Sequence, residues 1–288
     1  MKEGPLHYIF IINPNSGSQK LRNWEKMIDR VFPEKNYEIL FTRYAGHSRS
    51  ILSSIETRPD LCVVAVGGDG TVSELIPAIL EMNCSLGIIP TGSGNGLARH
   101  LGIPIHPMGA LLKLSRGKKQ KMDVIRVNDQ FCCNTCGIGY SAMVARYFGR
   151  DGRRGFLNYL KLAFSLHKES QSFRVCLNGD WYEDVWSLEL ANSSQLGNNA
   201  VVSPIASVSD GIMDVLLLKK PKLIHAPELM YMVFTRNILN SRFSRFLRTS
   251  KLEVKLEEPQ DFHIDGDYQT NCTSLTLEIL PSAIQIIA

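Results

Sequence analysis

The sequence predicts two domains: an α/β domain with a parallel sheet over residues 1–120, then a mostly antiparallel β domain over residues 121–288. Three observations carry this. Apolar strand-like runs alternate with helix-spaced segments as far as Leu114, the pattern of a parallel sheet covered on both faces. After Lys118, Lys119 and Lys121 the texture changes and strands follow strands, with hairpin turn residues at Asn128-Asp129 and Asn178-Gly179-Asp180. Two adjacent strands in the first part each end in a glycine-rich turn, which marks one edge of the sheet as a ligand crevice.

In chain order, strands are expected at His7–Ile12, Tyr37–Phe41, Leu61–Val66 and Leu86–Ile89. Helices are expected at Trp24–Phe32, Ser48–Ile55, Val72–Glu81 (despite Pro77), Asn95–Leu101 and Pro107–Leu114. The second part reads as extended at Asp123–Val127, Gln130–Cys136, Phe173–Leu177, Trp181–Ala191, Gly211–Leu218, Lys251–Leu256, Phe262–Ile264 and Leu275–Leu280. Helical patterns interrupt it at Phe156–Leu166 and Pro227–Phe246.

The most informative stretch is Cys62–Thr71, an apolar strand running into GGDGT. Gly67, Gly68 and Gly70 allow a sharp turn and a close approach of backbone to ligand. The helix that follows aims free N–H groups at an anion. Asp69 repels a phosphate, so an acid here implies a bridging metal or a proton to be moved. The plain alternative is a strand-to-helix turn with an acidic N-cap. The second turn, Thr91-Gly92-Ser93-Gly94-Asn95-Gly96, favours the phosphate reading, and Asn13-Pro14-Asn15-Ser16-Gly17 adds a third polar loop at the same edge.

Two later turns hold acids. Asp210 precedes Gly211 at the start of a strand, where a hairpin turn explains it equally well. His263-Ile264-Asp265-Gly266-Asp267 sets two carboxylates around a glycine at a strand end; one can accept a proton while the other holds a metal or hydroxyl, or the segment is simply a turn.

Other classes are set aside. No Walker A sequence is present, and the G-x-G-x-x-A match at Gly137–Ala142 lies beyond the parallel-sheet pattern. Cys133 and Cys136 form a CxxC without a second pair, and the seven cysteines show no disulfide spacing, so they read as small hydrophobes. No run approaches the roughly eighteen apolar residues of a membrane span, and the N-terminus lacks a signal-peptide pattern. A cytoplasmic protein is expected. A net charge of +4 implies no nucleic-acid groove. From Arg236 to Lys255, however, six basic residues face one acid, with Phe243 and Phe246 interleaved. This pattern would meet an anionic membrane surface or an acidic ligand, or be a solvated helix face.

Taken together, NPNSG at 13–17, TRYAGH at 42–47, GGDGTVSEL at 67–75, PTGSGNGLAR at 90–99, NTCGIGYSA at 134–142, SDGIMD at 209–214 and IDGD at 264–267 resemble the diacylglycerol kinase catalytic-domain superfamily, in family order across almost the whole chain. The resemblance implies an NAD kinase/diacylglycerol kinase-like α/β domain followed by a β-sandwich, with ATP in the interdomain cleft and a lipid alcohol as acceptor. It implies nucleotide contacts at Asn13, Thr42, Gly67, Gly68, Asp69, Gly70, Thr71 and Ser93. It implies Mg²⁺ near Asp210, with the carbonyls of Ser207 and Ile212 as further ligands, and Asp69 organising Mg²⁺ and the γ-phosphate. The family's DGE turn places the candidate base on Asp267, where Asp replaces Glu, with Asp265 as second candidate. Arg153 or Arg154 is expected to add positive charge, and the NTCGIGYSA segment to line the acceptor site. Such an enzyme meets its substrate by peripheral contact with a membrane. A soluble kinase acting on NAD and a non-catalytic lipid-binding protein of the same fold are the alternatives.

Overall fold

The computed structural model describes residues 6–17, 23–148 and 156–288. Arg153 and Arg154 lie outside them. The elements run β1 His7–Ile12, α1 Trp24–Asp29, β2 Tyr37–Phe41, α2 His47–Leu52, β3 Leu61–Gly67, α3 Asp69–Met82, β4 Ser85–Pro90, α4 Gly96–His100, α5 Pro107–Arg116 and β5 Lys119–Val127. Then follow β6 Gln130–Cys132, β7 Thr135–Gly139, α6 Tyr140–Tyr147, α7 Phe156–Leu166, β8 Phe173–Leu177, β9 Asp180–Ala191, β10 Gln195–Gly197 and β11 Ala200–Val201. The last are β12 Met213–Lys219, α8 Ala226–Phe234, β13 Ser244–Thr249, β14 Lys251–Ile264 and β15 Asp267–Ile287.

The chain forms two compact units. The first runs to Met122 and takes back Ser282–Ala288; the second is Asp123–Pro281. In the first, β1 pairs in parallel with β2 and with β3, and β3 with β4. The end of β15 joins β4 in parallel at Gln285 and Ile286. Each residue of β3 and β4 is buried, which is why these strands read as continuous apolar runs rather than alternating ones. Helix α3 begins at Asp69, continues through Pro77 and ends at Asn83 in the left-handed conformation.

In the second unit, β7 pairs with β9, β9 with β8, β8 with β14, and β14 with β7, all antiparallel. The four strands therefore close a barrel. Cys136, Ile138, Leu188, Leu190, Val175, Leu177, Val254, Phe262 and Ile264 belong to its buried core, as expected for a barrel small enough to be filled by side chains. This corrects the expected fold class of an α/β domain with a parallel sheet followed by a mostly antiparallel β-sandwich, of which the antiparallel character of the second unit holds. The hydrogen-bonded ladder is mixed, the last strand of the chain is part of it, and four antiparallel strands form a closed barrel rather than two stacked sheets.

The basic segment also differs from expectation. Ser244–Thr249 is strand β13, paired with β12 from Leu218↔Ser244 to Met213↔Thr249, not the end of a helix. The helix stops at Phe234, and Arg236 follows with φ 62°, a value that breaks a right-handed helix. Strand pairing overrides the local helical spacing, as β-propensity arguments anticipate.

Candidate active site

The first unit aligns its polar turns by strand register. Ile12 pairs with Phe41 and with Val66, and Gly67 with Pro90. Asn13, Thr42, Gly68 and Thr91 therefore sit at the carboxyl ends of four neighbouring parallel strands, where open α/β sheets bind ligands. Thr42 is buried and donates its backbone N–H to the Ile12 carbonyl at 2.9 Å. Asn13 Nδ2 donates to Thr71 Oγ1 at 3.4 Å.

The two glycine turns pack against each other. The Gly67 carbonyl accepts from Thr91 N–H at 2.8 Å. A Cβ on Gly92 would lie 2.5 Å from Gly68 Cα, so only glycine permits this contact. Gly68 precedes α3 with no side-chain cap, and Asp69 and Gly70 form the first turn of that helix. Asp69 is thus a helix residue rather than part of a preceding loop, and its carboxylate occupies the positive end of the dipole. Ser93 is exposed at the tip of the second turn. Beside it, Asn95 adopts a left-handed conformation and its Nδ2 donates to the Gly92 carbonyl at 2.7 Å. Its Oδ1 is buried with no hydrogen-bond partner. Asn95 is a residue that sequence reasoning did not single out, although its place in SGNG was visible.

In the second unit the two carboxylates of the IDGD turn meet opposite surroundings. Asp265 is buried and accepts backbone N–H groups from Cys133, Asn134 and Thr135 at 3.1, 2.8 and 3.2 Å. The Cys132 and Cys133 thiols also point to it, at 3.1 and 3.2 Å. Burial and these neighbours push the Cys132 thiol well above its ordinary range, so it stays protonated and donates. Asp265 braces the break between β6 and β7, where one continuous strand over Gln130–Cys136 was expected. Asp267 is exposed at the start of β15.

Asp210 is also engaged. Its Oδ2 accepts from Arg248 Nη2 at 2.5 Å, and its Oδ1 from Ile212 N–H at 3.2 Å. Arg248 Nε simultaneously reaches Asp214 Oδ1 at 2.9 Å, and the two carboxylates raise the guanidinium pKa, Asp214 first. Among the described residues no cluster of His, Cys, Asp or Glu is suited to a metal. A Mg²⁺ held by Asp210 with the Ser207 and Ile212 carbonyls would share that carboxylate with the Arg248 guanidinium and complete its octahedral oxygen shell with water.

Sequence reasoning missed a row across the barrel. Gly137 on β7 is the register partner of both Glu189 on β9 and His263 on β14. Glu189 and His263 are each 2% exposed. Their Oε2 and Nε2 atoms stand 3.8 Å apart. Burial, with Glu189 adding, pushes the phenol of Tyr159 in α7 up to about 12. The only signal was an acid at Glu189 within an apolar strand.

The chain's first part, residues 7–127, matches the diacylglycerol kinase catalytic domain, and residues 134–288 match the YegS C-terminal NAD kinase beta sandwich-like domain. The chain belongs to the YegS/diacylglycerol kinase family. Its relatives there include a "Probable lipid kinase YegS-like" protein of Pseudomonas putida, 27% identical over 86% of this chain and 84% of that one. A diacylglycerol kinase of Bacillus subtilis is 24% identical, over 90% of this chain and 88% of the relative. In fold, the chain resembles the crystal structure of a diacylglycerol kinase from Bacillus anthracis str. Sterne, with TM-score 0.72 and 20% identity, covering 99% and 98% of the two chains. Family membership supports a kinase-type enzyme that uses ATP and acts on lipid.

Proposed function

We propose that this protein transfers the γ-phosphoryl group of ATP to a hydroxyl of a diacylglycerol-like lipid alcohol. The observation that carries the reading is the contact of two glycine turns, at Gly68 and Gly92, at the ends of adjacent parallel strands beside the first turn of α3. Backbone N–H groups of these turns hold the phosphates. Asn13, Thr42, Thr71 and Ser93 surround the nucleotide from the neighbouring strand ends. Mg²⁺ accompanying ATP would supply charge neutralisation for the transfer, and Asp69 would be the carboxylate that holds it. Asp267 is the base: its carboxylate takes the proton of the lipid hydroxyl, that oxygen bonds to the γ-phosphorus, and the bond to the bridging oxygen of ADP breaks. Asp265 is withdrawn from the base role, since its oxygens are occupied by backbone N–H groups.

Peripheral contact with an anionic membrane belongs to this reading, but not through the arginine segment first expected. Arg242 pairs with Glu228, and Arg248 with Asp210 and Asp214. Leu223, Ile224 and Tyr231, exposed by 51%, 81% and 67%, suit shallow insertion better, and Lys222 and Arg236 are exposed in the same stretch of chain. No helix among the described residues is long and apolar enough to cross a bilayer.

The test offers purified protein ATP together with diacylglycerol, monoacylglycerol, phosphatidylglycerol, a sphingoid base or NAD, and follows products by mass spectrometry. A phosphorylated lipid is expected. Phosphorylation of NAD alone, or lipid binding with no product from any acceptor, overturns the reading.

A further inference from the structure

We infer that Glu189 and His263 are a positioning pair for the turn that carries Asp267, an inference that rests on the reading of Asp267 as the base. Glu189, Gly137 and His263 occupy one row across three neighbouring antiparallel strands, so their side-chain positions share one face. Gly137 leaves the middle of the row empty, and the flanking side chains close over it. A Cβ there would lie 2.6 Å from each of Glu189 Oε2, His263 Nε2 and Ser141 Oγ.

Gly266 N–H donates to His263 Nδ1 at 3.3 Å. The neutral ring therefore carries its proton on Nε2, the atom that faces Glu189. At 3.8 Å this is electrostatic attraction rather than a hydrogen bond. Glu189 Oε2 has no hydrogen-bond partner, while its Oε1 accepts from Ser187 Oγ at 2.7 Å. Ser187 Oγ in turn accepts the Ser141 N–H at 3.2 Å, at the start of α6. His263 Nδ1 is thus engaged by the turn while Nε2 faces Glu189, and the ring supports the turn rather than acting as the base. What it holds is Gly266, the residue between the two aspartates, where Asp265 has φ 50° and Gly266 φ 85°. Asp265 anchors one side of this turn through three N–H groups and His263 anchors the other. A base displaced by about 1 Å loses on the order of 100-fold in rate.

Two readouts test the pair in the full chain. The first is hydrogen exchange over the 264–268 turn, which needs no turnover. Glu189→Ala is expected to speed exchange at Gly266, and unchanged exchange overturns the inference whatever the activity. The second is kinetic. Glu189→Ala should lower kcat about 10- to 100-fold, leave the KM for ATP in place, and add nothing in an Asp267→Asn background. A full additional loss in that background overturns the inference. If Glu189→Ala does not fold, His263→Asn and His263→Leu take its place. Asn keeps an acceptor for Gly266 N–H and should retain slow exchange and most of kcat, whereas Leu should not. Equal behaviour of the two overturns the pair. A wild type that phosphorylates no lipid removes the kinase reading and leaves the exchange test to decide the pair.

Discussion

The glycine-turn edge of the first unit and the barrel of the second assemble polar groups by opposite means. In the first, parallel strands end in register, so each contributes a short contiguous loop and the loops meet side by side. In the second, groups far apart in sequence meet across antiparallel strands: Asp265 and Cys133 are 132 residues apart and joined by a backbone N–H at 3.1 Å. Loops of the first kind appear in a sequence as motifs. Rows of the second kind appear only once register is known, because a shift by one residue would turn every side chain to the other face.

The sharpest way to break this comparison lies in the IDGD turn, where both kinds of role are assigned two residues apart. Asp267→Asn is expected to lower turnover by about 100- to 10,000-fold with the thermal midpoint unchanged. Asp265→Asn should instead lower the thermal midpoint, at a cost of about 1–3 kcal/mol, because its amide N–H₂ would face backbone donors. Steady-state kinetics beside calorimetry of both variants decides it; exchanged results would reverse the assignment.

A smaller effect sharpens the first unit. Gly92→Ala forces the two turns apart, since its Cβ meets Gly68 Cα at 2.5 Å. ATP affinity should fall by about tenfold or more, that is about 1.4 kcal/mol. Gly68→Val should act the same way, and titration calorimetry showing wild-type affinity in either folded variant would remove the turns from the nucleotide site.

The smallest effect concerns the membrane. Ile224→Asp should weaken sedimentation with phosphatidylglycerol vesicles more than the Arg242/Arg245/Arg248→Ser triple variant does. Each exposed cation near the surface contributes only about 1 kcal/mol, and two of those three arginines are held in ion pairs. A larger loss in the triple variant would return the contact to β13.

Sequence reasoning located the turns around Gly67–Thr71 and Thr91–Gly96 because glycine is required where two backbones touch, and a requirement on residue type is visible in one dimension. Full burial likewise marked β3 and β4 as uninterrupted apolar runs. It misplaced the basic segment because Phe243, Phe246 and Leu247 fit helical spacing equally well, and pairing of Leu247 with Val215 decided for a strand. Only the family resemblance ranked Asp267 above Asp265, since by residue type both are aspartates in one turn. Their difference comes from Cys133, Asn134 and Thr135 on another strand.

The sequence by itself thus determined the glycine turns and the order of strand, turn and helix around them, set by steric limits within a few residues, while the helix start at Asp69 came only with the structure. Tertiary structure alone decided that the last strand returns to the first unit, that four strands close a barrel, that Arg248 neutralises Asp210, and that Glu189 and His263 meet over Gly137. Each of these depends on which distant strand lies alongside, and pairing energy belongs to the pair rather than to either segment.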